Sequence, residues 1–235
     1  ERSFHGINAR QTGFPSFDSY RETNPDIQEA ASTGVGAMSV FFRSLVRSQK
    51  EEGLGSVTLV GHSMGAMVLN RGLREFPDIR TKDILYMAAA CSVKDFSASV
   101  VPYMARHDSE THFHNLCLHP RAELRERAGP LRGELAPRGS LLVWIDTFLD
   151  RPDAFSDRVL GHFENAMIAS HLIPARLQHR VHMISMDAGE PQGKGAHGAL
   201  QLHGDFKNYE FWKTEFKAVK GWDSDTREQY LWPGE

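Results

Sequence analysis

The chain has 235 residues, 40% hydrophobic and 24% charged. That composition belongs to a globular protein rather than a disordered one, and a chain this long buries roughly three-quarters of its unfolded surface. A formal net charge of −3 with 27 basic residues spread along the chain argues against nucleic acid or an anionic membrane as the main partner, and apolar runs such as Val57 to Val60 fall far short of the roughly 20 residues a bilayer span requires.

Residues 1–34 are rich in turn formers, including Gly6, Gly13, Pro15, Pro25 and Gly34, and read as loop. From Val35 to Arg47 the apolar residues Val35, Met38, Phe41, Phe42, Leu45 and Val46 recur at three- and four-residue spacing, which predicts a helix. Ser56 to Val60 is short, apolar and bounded by Gly55 and Gly61, as suits a strand buried on both faces of a parallel sheet. A helix from Met64 to Phe76 follows, stopped by Pro77.

Further on, the pattern predicts a strand at 84–89, a helix at 98–106 and a strand from His112 to Leu118. Between Glu123 and Arg180 it is helical and rich in aromatic residues, with one helix over 141–149 after Ser140 and an amphipathic stretch over 153–171. A last strand over 180–186, a glycine-bearing loop and a closing helix over 209–219 complete the chain. Strands alternating with helices imply crossover connections, so the expected fold is α/β, a mostly parallel β-sheet flanked by helices. No repeat or shift of composition marks a second domain, and one domain over 1–235 is expected.

Cys91 and Cys117 each fall near the end of a predicted core strand and read as buried thiols rather than a disulfide. The chain begins at Glu1 with no basic-plus-apolar leader in view. The compartment stays open, with a lean to the cytoplasm, and oligomeric state is not legible.

The chemistry concentrates at Gly61-His62-Ser63-Met64-Gly65. This matches the G-x-S-x-G turn that presents a nucleophilic serine, and it lies directly after a predicted strand and before a predicted helix, where that turn must lie. Strand and helix approach closely there, so residues without a Cβ are needed on either side of the serine, and Gly61 and Gly65 meet the demand. The Met64 N–H falls at a helix N-terminus, where unpaired donors and the helix dipole favour negative charge.

On these residues the chain resembles the α/β-hydrolase family of serine esterases and lipases, from about His5 to the C-terminus. The resemblance implies an oxyanion hole in which the Met64 N–H is joined by a second donor, and Phe4-His5-Gly6-Ile7 is similar to the element that supplies it, making the Ile7 N–H that donor. It further implies an acid and a histidine in the order Ser, acid, His. His203, in Leu200-Gln201-Leu202-His203-Gly204-Asp205-Phe206, is the expected base, with His197 as its rival in the same loop. Glu123, shortly after the predicted strand ending at Leu118, is the first choice of acid. Asp146 is the alternative and takes precedence if 141–145 is a strand, and Asp187 is a third.

The segment over 124–178 is longer than the simple connection of that family and reads as a helical lid insertion. Trp144, Phe148, Phe155, Phe163 and Met167 could line an apolar acyl pocket or belong to the core. One departure is plain: the 60 residues ahead of Gly61 leave room for fewer strands than the family carries there.

No metal and no cofactor are expected, since H-E-x-x-H, C-x-x-C and the phosphate loop are missing from the sequence and no G-x-G-x-x-G directly follows a predicted strand, the glycine spacing at Gly193, Gly195 and Gly198 falling within the loop beyond the strand over 180–186. His112 and His114 alternate along a strand and could share a face, but further ligands are not supplied by spacing. The expected activity is hydrolysis of a small-molecule or lipid-like carboxylic ester through an acyl-enzyme on Ser63. Amide or thioester hydrolysis and acyl transfer would use the same groups, and a non-catalytic binding protein on the same fold is the rival from another class.

Overall fold

The computed structural model describes residues 36–107, 111–126, 138–149, 152–186 and 202–208. The loop predicted over 1–34, the glycine-bearing loop after the last strand and the closing helix over 209–219 lie outside them.

The described elements run α1 (Ala37–Glu51), β1 (Val57–His62), α2 (Gly65–Glu75), β2 (Thr81–Met87), α3 (Val93–Arg106), β3 (His112–Cys117) and α4 (Pro120–Arg125). Then come α5 (Leu141–Trp144), a π-helical turn (Ile145–Leu149), a 3-10 turn (Phe155–Asp157), α6 (Phe163–Ser170), α7 (Ala175–Gln178), β4 (Val181–Ser185) and a final 3-10 helix (His203–Asn208). The four strands form one parallel sheet in the order β1-β2-β3-β4, an α/β architecture with helices between the strands. Register aligns Met87 with Leu116 and Leu116 with Ile184, so the C-terminal ends of the strands share one edge. In open parallel sheets that edge is where ligands bind.

The chain divides into two compact units. In the smaller, Phe42 is fully buried and its ring stacks on Phe76 with centroids 5.8 Å apart. Gly72 makes room for it, since a Cβ there would lie 2.4 Å from Phe42 Cζ. Gln49 closes this unit through its side chain, donating to the carbonyls of Gly55 and Arg80 at 3.0 and 2.8 Å and accepting from the Arg80 N–H at 2.8 Å.

The larger unit carries all of the sheet but Val57. Its core draws on Leu85, Met87, Ala88, Leu116, Leu118, Ala122, Leu142, Val159, Ile184 and Phe206. The ends of β2 and β3, α4, α5 and the final 3-10 helix thus share one apolar cluster. α6 and α7 pack against β4. A buried polar chain ties α2, β2 and α3: Tyr86 donates to Asn70 Oδ1 at 2.6 Å, and Asn70 Nδ2 donates to Asp95 at 2.6 Å.

Several element boundaries differ from the sequence reading: β2 spans Thr81–Met87 rather than 84–89, α1 spans Ala37–Glu51 rather than 35–47, and the stretch over 153–171 holds a 3-10 turn and α6 rather than one helix. Two further differences have identifiable local reasons. Apolar spacing predicts a helix start at Ala98, whereas α3 begins at Val93 because the Ser92 hydroxyl accepts the Asp95 N–H at 3.1 Å and caps it. The helix predicted over 141–149 is α-helical only to Trp144 and then widens into the π-helical turn.

Among the described residues no helix is long and apolar enough to cross a membrane. Both cysteines are buried and free.

Candidate active site

Ser63 stands between β1 and α2 with a φ of 54°, one of two described non-glycine residues in the left-handed region. An L-residue there is strained and persists only where its surroundings enforce it. Here they do: the Ser63 N–H donates to Met87 O at 2.9 Å, and Ser63 O accepts from the N–H groups of Ala66 and Ala90 at 3.2 and 3.1 Å. The turn is therefore stitched both to the helix that follows it and to the chain leaving β2.

The other left-handed residue, Ala88, has a φ of 44° and directly follows β2. Its N–H donates to Leu116 O at 2.8 Å. Beyond it, Ala89 O accepts from the Gly161 N–H at 2.9 Å, and a Cβ on Gly161 would lie 2.4 Å from that oxygen. The strained stretch beside Ser63 is thus pinned from three directions.

Gly61 is required by contact rather than by dihedral angle. A Cβ there would lie 2.9 Å from Ala66 N, from Gly65 C and from Leu69 Cδ1. Gly65 differs, since a Cβ there would meet nothing within 4 Å; the close approach expected at both glycines occurs at the first. Met64 is exposed, and among the described residues its N–H has no backbone acceptor, as for the first donors of any helix. Ile7, the expected second donor, lies outside the described residues.

The described structure brings His203 against the residue before the nucleophile. His62 and His203 have ring centroids 4.9 Å apart, and His62 Nε2 lies 3.0 Å from His203 O. The His203 N–H donates to Glu126 Oε2 at 2.8 Å. Burial first, and electrostatic interaction with His62 second, lower the His203 pKa from 6.5 to about 4, so the imidazole is neutral near pH 7, the form a general base requires, though a weaker base than an exposed histidine. Among the described residues no hydrogen bond joins the Ser63 hydroxyl to His203, and His203 Nδ1 is buried without a partner.

The two candidate acids occupy different environments. Glu123 on α4 is 2% exposed, and neither carboxylate oxygen makes a hydrogen bond among the described residues. Burial pushes its pKa from 4.5 to about 7, the nearby Ser140 hydroxyl opposing the rise and Glu126 and Glu164 adding to it. Asp146 sits in the π-helical turn, not on a strand. Its Oδ1 accepts the buried Val159 N–H at 2.8 Å, and its Oδ2 lies 3.1 Å from Arg158 Nη1 and 3.5 Å from Asn165 Nδ2. Asp146 is spent on holding the 158–165 segment, while Glu123 has unused acceptors. His197 and Asp187 lie outside the described residues.

Of the residues proposed for an acyl pocket, Phe163 is buried at the head of α6, Trp144, Phe155 and Met167 are partly buried, and the side chain of Phe148 lies outside the described part of the structure. No described contact gathers them around Ser63.

Sequence reasoning missed Glu126. Its position at the end of α4, three residues after Glu123, is visible in the sequence, but its bond to His203 is not. It also missed how far the β3 histidines are engaged. The rings of His114 and His182 stack at 4.6 Å and those of His112 and His182 at 5.6 Å, while His114 Nε2 lies 3.2 Å from Asp83 Oδ1. Among the described residues no group of three or more His, Cys, Asp or Glu has an arrangement that could hold a metal ion.

No protein family, curated protein or solved structure matches the chain. The functional reading therefore rests on the chain's own residues.

Proposed function

We propose that this protein is a serine hydrolase of the α/β-hydrolase type, cleaving a carboxylic ester through an acyl-enzyme on Ser63. The observation that carries the reading is the backbone at that residue. A serine at a φ of 54°, between a strand of a parallel sheet and a helix and beside a glycine with no room for a Cβ, is a strained conformation of the kind that clusters at reactive sites.

In this mechanism the Ser63 hydroxyl attacks the ester carbonyl while His203 takes its proton, and the carbonyl oxygen becomes an oxyanion beside the Met64 N–H. His203 then protonates the departing alkoxide, leaving the acyl group on Ser63 Oγ. Water, deprotonated by His203, attacks the acyl carbon, and the second collapse returns Ser63 and releases the acid. Glu123 is the proposed partner of the imidazolium, with hydrogen bonds to His203 that form only on substrate binding. Its unused carboxylate oxygens support that choice over Asp146.

A second reading, a binding protein that keeps the fold without the chemistry, is favoured by the missing Ser63–His203 hydrogen bond. A fluorophosphonate probe separates the two. Labelling of the wild type and not of Ser63→Ala is expected, and failure of the folded wild type to label would favour the binding protein.

A further inference from the structure

The main chain of His203 is gripped on both of its polar groups by side chains from two different elements. Glu126, just past α4, accepts the His203 N–H at 2.8 Å, and His62, the last residue of β1, reaches His203 O with Nε2 at 3.0 Å. A carbonyl oxygen only accepts, so His62 carries its proton on Nε2. Glu126 is itself fixed by its main chain: its N–H donates to Ala122 O at 3.0 Å and its carbonyl accepts from the Gly139 N–H at 2.7 Å.

These bonds fill a gap that the local fold creates. His203 opens a 3-10 helix, whose first N–H groups have no intrahelical acceptor, and a carboxylate is a strong acceptor for such a donor. Burial raises the Glu126 pKa, the bond to His203 acts against that rise and Asp205 adds to it, so the bond helps keep a partly buried carboxylate charged. The imidazole itself has no such anchor, since Nδ1 is buried without a partner among the described residues.

Building on the hydrolase reading, we propose that His62 and Glu126 are positioning residues that hold His203 through its peptide groups, so that the base is registered to the nucleophile by the backbone rather than by its ring. His62 is covalently joined to Ser63. The distance from nucleophile to base is then set by one side chain of the nucleophile's own turn, with Glu126 holding the preceding peptide group, so that the backbone on both sides of the His203 Cα is fixed.

The test uses the full chain and p-nitrophenyl acetate, with fluorophosphonate labelling of the wild type as a separate control. If the wild type does not label, the hydrolase reading fails, and the grip is still judged by hydrogen exchange at the His203 amide. Glu126→Ala is expected to lower kcat roughly ten- to a hundredfold, the effect of displacing a reacting group by about 1 Å, with KM nearly unchanged and faster exchange at that amide. Glu126→Gln, whose amide oxygen can accept the same N–H, is expected to restore most of kcat. His62→Phe is expected to lower kcat in the same way, and the double variant to lose less than the product of the two single losses, because both act on the backbone of one residue. Unchanged kcat in both single variants of a labelling enzyme would overturn the proposal, as would Glu126→Gln no better than Glu126→Ala. If Glu126→Ala does not fold, an unprotected His203 amide in the wild type overturns it and a protected one supports it.

Discussion

At the scale of single residues, two buried titratable groups give this site opposite responses to pH. Glu123 binds its proton more tightly in the folded protein, with a pKa near 7 in place of 4.5. Its contribution therefore favours the fold below about pH 4.5 and is lost as pH rises through about 7, a change of a few kcal/mol in order of magnitude. His203 binds its proton less tightly, with a pKa near 4 in place of 6.5. Its contribution is present above about 6.5 and is lost as pH falls through about 4. The slopes oppose one another where the windows overlap, so variants are needed to separate them. Urea denaturation of Glu123→Gln from pH 5 to 8 should show the variant gaining on the wild type as pH rises, and a constant difference would contradict a protonated Glu123. For catalysis, the acidic limb of kcat/KM should lie well below the usual histidine range, near pH 4, since the base must be neutral. A limb between 6 and 7 would mean that the imidazole is solvated in the free enzyme.

Between elements, the instructive residue is Asp146. From the sequence it is an acid in an apolar stretch and hence a rival to Glu123, but the π-helical turn directs it at the Val159 N–H and at Arg158. Its role is to tie that turn to the segment ahead of α6. Asp146→Ala leaves a buried N–H without an acceptor and should cost about 1–3 kcal/mol of stability. It should leave fluorophosphonate labelling of Ser63 intact below the new melting temperature. Loss of labelling from a protein that is still folded would return Asp146 to the catalytic acid position. The strand-turn-helix at 57–75 was legible because its signals are local: a β-branched run, glycines at fixed offsets and a helical period. Glu126 was not legible, because its significance lies in a bond across 77 residues to His203, and no periodicity reports a contact of that kind.

For the molecule as a whole, folding buries both thiols, Cys117 at the end of β3 and Cys91 in the connection from β2 to α3. Burial raises the Cys91 pKa to about 12 and that of Cys117 well above its usual value, which removes the thiolate needed for attack. Native protein should accordingly react with a disulfide reagent only at its rate of global unfolding. Rapid modification of either cysteine at neutral pH would show that the edge near β2 and β3 opens locally.

The amino-acid order by itself determined that this chain is α/β, that strands and helices alternate, and that Ser63 stands between a strand and a helix, because each of these follows from side-chain periodicity and backbone rules acting within a few residues; that the strand lies at the edge of the described sheet, with Thr58 and Val60 exposed rather than buried on both faces, was not legible. Only the tertiary structure decided that Ser63 adopts a left-handed conformation pinned by β2, that Asp146 is occupied while Glu123 is not, and that His203 is gripped by His62 and Glu126. Those outcomes depend on which distant groups share a buried neighbourhood, where desolvation and hydrogen-bond satisfaction, rather than local propensity, set the state of each side chain.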